Sequence, residues 1–277
     1  MERRVAAILA APLLANRLCL SILQSTEAIM IPNCLQLFGL NDAEALSMYG
    51  TLTGMALSFI LFPSTISNSL SVMLLPAMAE AKSAKKQDSI NYTASKTISF
   101  SLATGILFIG VFLEFGKDLG RVFFHSDLAG TFIQILSWIC PFLYLSTTVG
   151  SILNGLGKTN LTFFHHLISL SLRIFFIVFG TPKIGILACL WGMLASELLL
   201  TFLHIHTLRK HTQISFSALK SLLIPSLFLI LSTMLYREIF SFAKQLLSLP
   251  PALWLTLGCA SLCLSYLSLF WIFRKKL

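Results

Sequence analysis

Arg17, Glu27, Arg173 and Glu197 are charged side chains that lie inside long apolar stretches of this chain. A charge at the centre of a lipid-spanning helix costs about 2.5–3.5 kcal/mol to insert. Four cost on the order of 10–14 kcal/mol before any pairing. Residues that costly face protein, one another or a water-filled cavity, and they mark pathways for ions or polar substrates. Arg17 belongs with Asn16, Gln24 and Glu27. At about 100° per residue these four and Ser21 share one arc of about 140°, opposite a face of Leu, Ile and Met. Helix packing alone does not call for arginine, so a hydrophilic cavity wall is the favoured reading.

Arg173 and Glu197 sit on consecutive apolar stretches joined near Pro182. Counted from that turn, their axial offset is about 9 Å. Long side chains can close much of it, which makes a structural ion pair the expectation and a transport role the alternative. A second stripe runs through Ser47, Thr51, Gly54, Ser58, Thr65 and Ser69, all within about 60° on one helix. Asn68 lies in the same polar run. Cavity lining and small-residue helix packing are equally open for it. Pro63 in the middle of this run predicts a bent helix.

No catalytic set accompanies these residues. There is no Ser-His-Asp arrangement, no phosphate-cradling glycine loop and no helix with a metal-type His pair, so the chain does not read as an enzyme. No cofactor or metal is expected. The six cysteines form no Cys-x-x-Cys and read as small residues packing between helices. His165, His166, His204 and His206 read as wetted interfacial side chains.

The elements that position these groups are eight apolar stretches: 5–31, 46–75, 98–115, 132–154, 161–180, 184–203, 216–236 and 250–273. About 17–25 residues of helix cross a bilayer core. A mean hydropathy of +0.84 with 11% charged residues excludes a soluble domain, for which about 25% charged is usual. The fold class is therefore all-α, a polytopic membrane bundle. Placing connections alternately on two sides puts 13 Lys and Arg with the N-terminus and 5 opposite, leaving Arg17 and Arg173 inside spans. Basic loops stay cytoplasmic. Both termini are thus expected in the cytoplasm of a multi-pass protein of the cell membrane. The net charge of +9 serves orientation and anionic headgroups, not nucleic acid.

Finer features are expected as well. Pro32 kinks or ends the first span. Residues 80–96 form a basic loop with helical ends. Residues 116–128 form a short amphipathic surface segment, and the last two spans face lipid at the periphery.

Residues 12–80 carry Pro12-Leu13-Leu14-Ala15-Asn16-Arg17-Leu18, Gln24-Ser25-Thr26-Glu27-Ala28, Tyr49-Gly50-Thr51-Leu52-Thr53-Gly54 and Leu61-Phe62-Pro63-Ser64. Asn68-Ser69-Leu70-Ser71 and Leu74-Leu75-Pro76-Ala77 follow. This run resembles the seventh and eighth helices of the stage V sporulation protein B family. Those are polysaccharide-export relatives within the multidrug/oligosaccharidyl-lipid/polysaccharide superfamily of flippases. The resemblance implies two six-helix lobes around a central cavity, of which this chain supplies the second, residues 1–209, plus two further helices, 210–277. It also implies an anionic, lipid-linked sugar as substrate, with membrane lipids as surroundings and cell-envelope or spore-cortex biogenesis as context. Asn16, Arg17, Gln24 and Glu27 would then face the cavity, the arginine fork meeting a pyrophosphate bidentately. The opposing wall would be the first lobe or a second copy of the chain. A cation-coupled multidrug exporter and a non-transporting scaffold remain as alternatives.

Overall fold

The computed structural model describes the backbone of residues 2–212, 218–246 and 250–274, and the side chains of 18–212, 221–240 and 250–272. Twelve α-helices follow one another there, and no strand occurs among the described residues. The first is α1, Glu2–Leu37. The bent span comprises α2 (Asp42–Gly50), a π-helical turn (Thr51–Ala56), α3 (Leu57–Leu61) and α4 (Ser64–Ser83). A long α5 (Gln87–Phe124) precedes α6 (Asp127–Leu136), a 3₁₀ turn and α7 (Cys140–Gly155). Then come α8 (Thr159–Phe175), a second π turn (Phe176–Gly180), α9 (Thr181–Ile184) and α10 (Ile186–His211). Last are α11 (Ala218–Leu246) and α12 (Pro251–Arg274).

Seven helical units among the described residues are long and apolar enough to cross a membrane, and the bent pair makes eight. Sharp local signals delimit them. Asn41 accepts from the Glu44 amide while the Glu44 carboxylate accepts from the Asn41 amide, closing a capping box that starts α2. The Ser126 hydroxyl caps α6. Gly185, at φ +65°, makes the reversal into α10 that a side chain would resist.

Proline behaves differently at two places. The break at Phe62–Pro63 turns the helix by 60°. Pro63 has no N–H for the Phe59 carbonyl, which the Phe62 amide reaches at 3.3 Å, and the neighbouring Ile60 carbonyl accepts from the buried Tyr144 hydroxyl at 3.1 Å. Pro32 neither breaks nor ends α1, which continues to Leu37. Buried Ile31, Cys34 and Leu35 hold both sides of Pro32 against Ala45, Ile177 and Cys189. The expected basic loop is almost all helix, with a turn only at Ala84–Lys86. Residues 116–124 are no separate surface segment but the last turns of α5. Gly116 and Gly120 there allow α6 to pack closely, as a Cβ on Gly120 would stand 2.3 Å from the Gly130 nitrogen.

The main core joins the bent span, α5, α6, α7 and α10 through Leu52, Ile60, Phe112, Ile133, Tyr144 and Met193. α11 and α12 pack on α5 and on each other. They carry more exposed apolar residues than the inner helices, among them Leu223, Met234, Leu264 and Trp271.

Candidate functional site

Glu27, Arg173 and Glu197 meet. Arg173 Nη1 lies 3.5 Å from Glu27 Oε1, and Arg173 Nη2 lies 3.3 Å from Glu197 Oε1. The three side chains are 10, 18 and 11% exposed for Glu27, Arg173 and Glu197 respectively. Hydroxyls complete the set. Arg173 Nε donates to Ser196 Oγ at 2.9 Å, and Ser146 Oγ donates to Glu197 Oε2 at 3.2 Å. Ser169 Oγ donates to the Ser196 carbonyl at 2.7 Å. The network ties α1, α7, α8 and α10 together inside the bundle.

The local sequence explains how each partner arrives. On α8, Ser169 and Arg173 are four apart and share a face. On α10, Ser196 and Glu197 both turn inward and are buried. Arg173 lies in the last turn of α8, just before the π turn, and Pro182 beyond that turn lacks the donor a regular ladder would use. Charges this far from water are held only when paired and hydrogen-bonded, and each member here has at least one partner. With both carboxylates ionised, the two against one guanidinium carry one net negative charge.

The arc seen on the first helix divides in the structure. Glu27 is buried against α8 and α10, whereas Ser21 and Gln24 are exposed. The side chains of Asn16 and Arg17 lie outside the described residues. The stripe on the bent span divides too. Ser58, Thr65, Asn68 and Ser69 are exposed while Thr51 is buried. A π turn inserts one residue into the helical register, so a constant 100° step fails beyond Thr51. Ser58 Oγ donates to the Gly54 carbonyl and Thr65 Oγ1 to the Phe62 carbonyl, both at 2.8 Å. The exposed members of the two stripes thus lie on α1 and on both arms of the bent span.

The histidines are not all wetted at an interface. His204 is fully buried and His165 is 8% exposed. Their ring centroids lie 5.1 Å apart, and that of His166 lies 5.5 Å from His204. The sequence hint to this cluster was the heptad-like spacing of Glu197, His204 and Leu208 on the inward face of α10. Among the described residues, no group of three or more His, Cys, Asp or Glu side chains could hold a metal ion.

Known proteins place these features. Stage V sporulation protein B of Bacillus subtilis (strain 168) is 27% identical over 191 residues, covering 68% of this chain and 37% of that protein. Sporulation protein YkvU of the same organism is 26% identical over 208 residues, covering 74% and 46%. The chain thus spans less than half the length of these curated relatives. Its fold matches the solved outward-facing conformation of a multidrug resistance MATE family transporter of the MOP superfamily. That match has a TM-score of 0.58 at 17% identity, covering 91% of this chain and 61% of that one. The MatE family model matches residues 12–179. The bent span, the inward-facing charges and this match over more than half of the chain agree: it is a multi-pass membrane protein of the MatE family, a family of transporters and not of enzymes.

Proposed function

We propose that this chain forms the second lobe of a flippase that carries an anionic, lipid-linked oligosaccharide or peptidoglycan precursor across the cell membrane. Residues 1–209 make the lobe and 210–277 add two helices at its edge. The observation that carries this reading is the exposed polar surface of Ser21, Gln24, Ser58 and Asn68 on helices otherwise fit for lipid. Such a surface is poorly placed against acyl chains and well placed along a watered cavity. By sequence position Asn16 and Arg17 precede it on α1, Arg17 about 10 Å of helix from Gln24. Arginine suits a pyrophosphate because its planar fork bonds phosphate bidentately. The two sporulation proteins among the relatives favour an envelope precursor over a drug. The opposing wall comes from a first lobe or from a second copy of the chain.

In vesicles containing the complete transporter, Arg17→Ala should lower transport of a lipid-linked pyrophosphoryl sugar about ten- to a hundredfold. That range follows from the loss of one charge-assisted contact. Arg17→Lys should retain part of the activity. Normal transport by Arg17→Ala would show that the headgroup is held elsewhere. Loss of cationic-drug transport alone would favour the exporter reading.

Both termini are placed in the cytoplasm by the asymmetry of Lys and Arg. Single cysteines at Asp42 and Asp127 should react with an impermeant thiol reagent added outside intact cells. Cysteines at Lys85 and Lys210 should react only after permeabilisation. The opposite pattern reverses the orientation.

A further inference from the structure

The buried histidines form a second polar group next to the charged triad, and their hydrogen bonds fix what it can do. His204 Nδ1 lies 3.2 Å from the Ser146 carbonyl oxygen. A carbonyl only accepts, so Nδ1 carries the proton and Nε2 presents a bare lone pair. That Nε2 has no hydrogen-bond partner among the described residues, and neither does His165 Nδ1. His165 Nε2 lies 3.2 Å from Thr207 Oγ1, a hydroxyl that can donate or accept. The ring centroids of His165 and His204 are 5.1 Å apart. At that separation a small ring rotation lets two imidazoles share a hydrogen bond.

We propose that His165, His204 and Thr207 form a binding site for one proton inside the lobe. With the site empty, Thr207 donates to His165 Nε2, and His165 Nδ1–H faces the lone pair of His204 Nε2. One added proton enters at His165 Nε2. The Thr207 hydroxyl rotates and becomes the acceptor. His165 is then an imidazolium with both N–H groups directed at acceptors, Thr207 Oγ1 and His204 Nε2. One positive charge is gained, and the change needs only a rotated hydroxyl and small ring rotations.

An imidazolium withdrawn from water needs a counter-charge. The triad supplies it through Ser146, whose hydroxyl donates to Glu197 and whose carbonyl accepts from His204. The net negative charge of Glu27, Arg173 and Glu197 is cancelled when the proton binds. The other titratable groups beside the pair are His206 on α10, near His165, and His166 on α8, near His204. Glu197 on α10 reaches the pair through Ser146, and Arg173 and Glu27 lie behind it in the triad. From α7, Ser146 and Gly150 lie against His204. His165 lies about 9 Å of helix from the turn that starts α8, and the less buried His166 beside it offers a path to that end.

The test is nitrogen NMR of protein labelled at its six histidines, held in lipid nanodiscs and titrated between about pH 5 and 8. Two rings should titrate together and take up one proton between them. His204→Gln should abolish the shared titration. Thr207→Val keeps both rings but removes the acceptor, and should weaken proton binding at least about tenfold. Glu197→Gln should weaken it as well, while Gln at His206 should leave the shared titration in place. If His204→Gln does not fold, Thr207→Val still decides. The proposal falls if both rings stay neutral throughout, if they titrate independently, or if Thr207→Val titrates like the wild type. The readout is ring protonation, so failure here leaves the transport reading intact, and failure of transport leaves this site intact.

Discussion

Arg173→Ala lowers the stability of the lobe by about 3–5 kcal/mol, the cost of leaving buried charges without their partner. Glu27 and Glu197 would then face each other across the vacated guanidinium, both nearly out of water. Ser196 would lose its donor from Arg173 as well. The measurement is thermal unfolding of purified protein in a mild detergent, alongside its steady-state level in membranes. The triple variant Glu27→Gln, Arg173→Met, Glu197→Gln removes all three charges at once. It should recover most of the loss, because uncharged side chains of similar volume avoid the desolvation cost. A single variant as stable as the wild type would mean that water reaches the triad freely.

Gly105→Ala is the second large effect. A Cβ there would stand 2.4 Å from Pro141 Cα and 2.8 Å from Pro141 N. Both are backbone atoms, so no rotamer can relieve the clash, and α5 must move away from α7. Overpacking of this kind costs about 1–3 kcal/mol or more. The displacement also strains the buried bond from Ser101 Oγ to Thr148 Oγ1 one turn away. Gly50→Ala is the control. Nothing lies within 4 Å of its added Cβ, and alanine favours a helix over glycine by about 1 kcal/mol. The two alanines should therefore shift the unfolding temperature in opposite directions. Equal shifts would contradict the close approach of α5 to α7.

The spans were legible because lipid imposes a length and a hydropathy that show directly in the residues. Pro63 was legible as a bend because a proline amid small hydroxyls frees carbonyls that other groups must cover. Pro32 misled because the same missing donor is tolerated where buried neighbours hold the helix on both sides. The π turn at Thr51–Ala56 had no residue to announce it. Thr51 and Thr53 donate to the Ser47 and Tyr49 carbonyls, and such side-chain bonds compete with the backbone ladder. Gly50 and Gly54 stand at that place, but a glycine is tolerated inside a regular helix as well, so neither marks the break in periodicity.

The candidate site divides in the same way. Counting back from the turn at Pro182 brings Arg173 near Glu197, since antiparallel neighbours share a depth scale. No such count reaches Glu27, which joins only because α1 packs on α8 and the second π turn. The histidine pair was hidden for a related reason. Depth from a span end predicts wetting, but the packing of α10 against α7 and α8 decides which rings are covered.

The bonds between α7 and the bent span determine how the lobe can yield under load. Tyr144 holds the Ile60 carbonyl, Ser151 Oγ donates to the Ser71 carbonyl, and Lys82 Nζ donates to the Leu156 carbonyl at 2.8 Å. Each helix lends side chains to the other's backbone over nearly its whole length. α4 and α7 therefore behave as a single beam, stiff in bending and fixed against sliding. The segment above the break, from Thr51 to Leu61, has no such splint from α7 beyond Ile60. Shear applied across the break would therefore be taken up first at this π turn, with α2 moving together with α1, on which it packs.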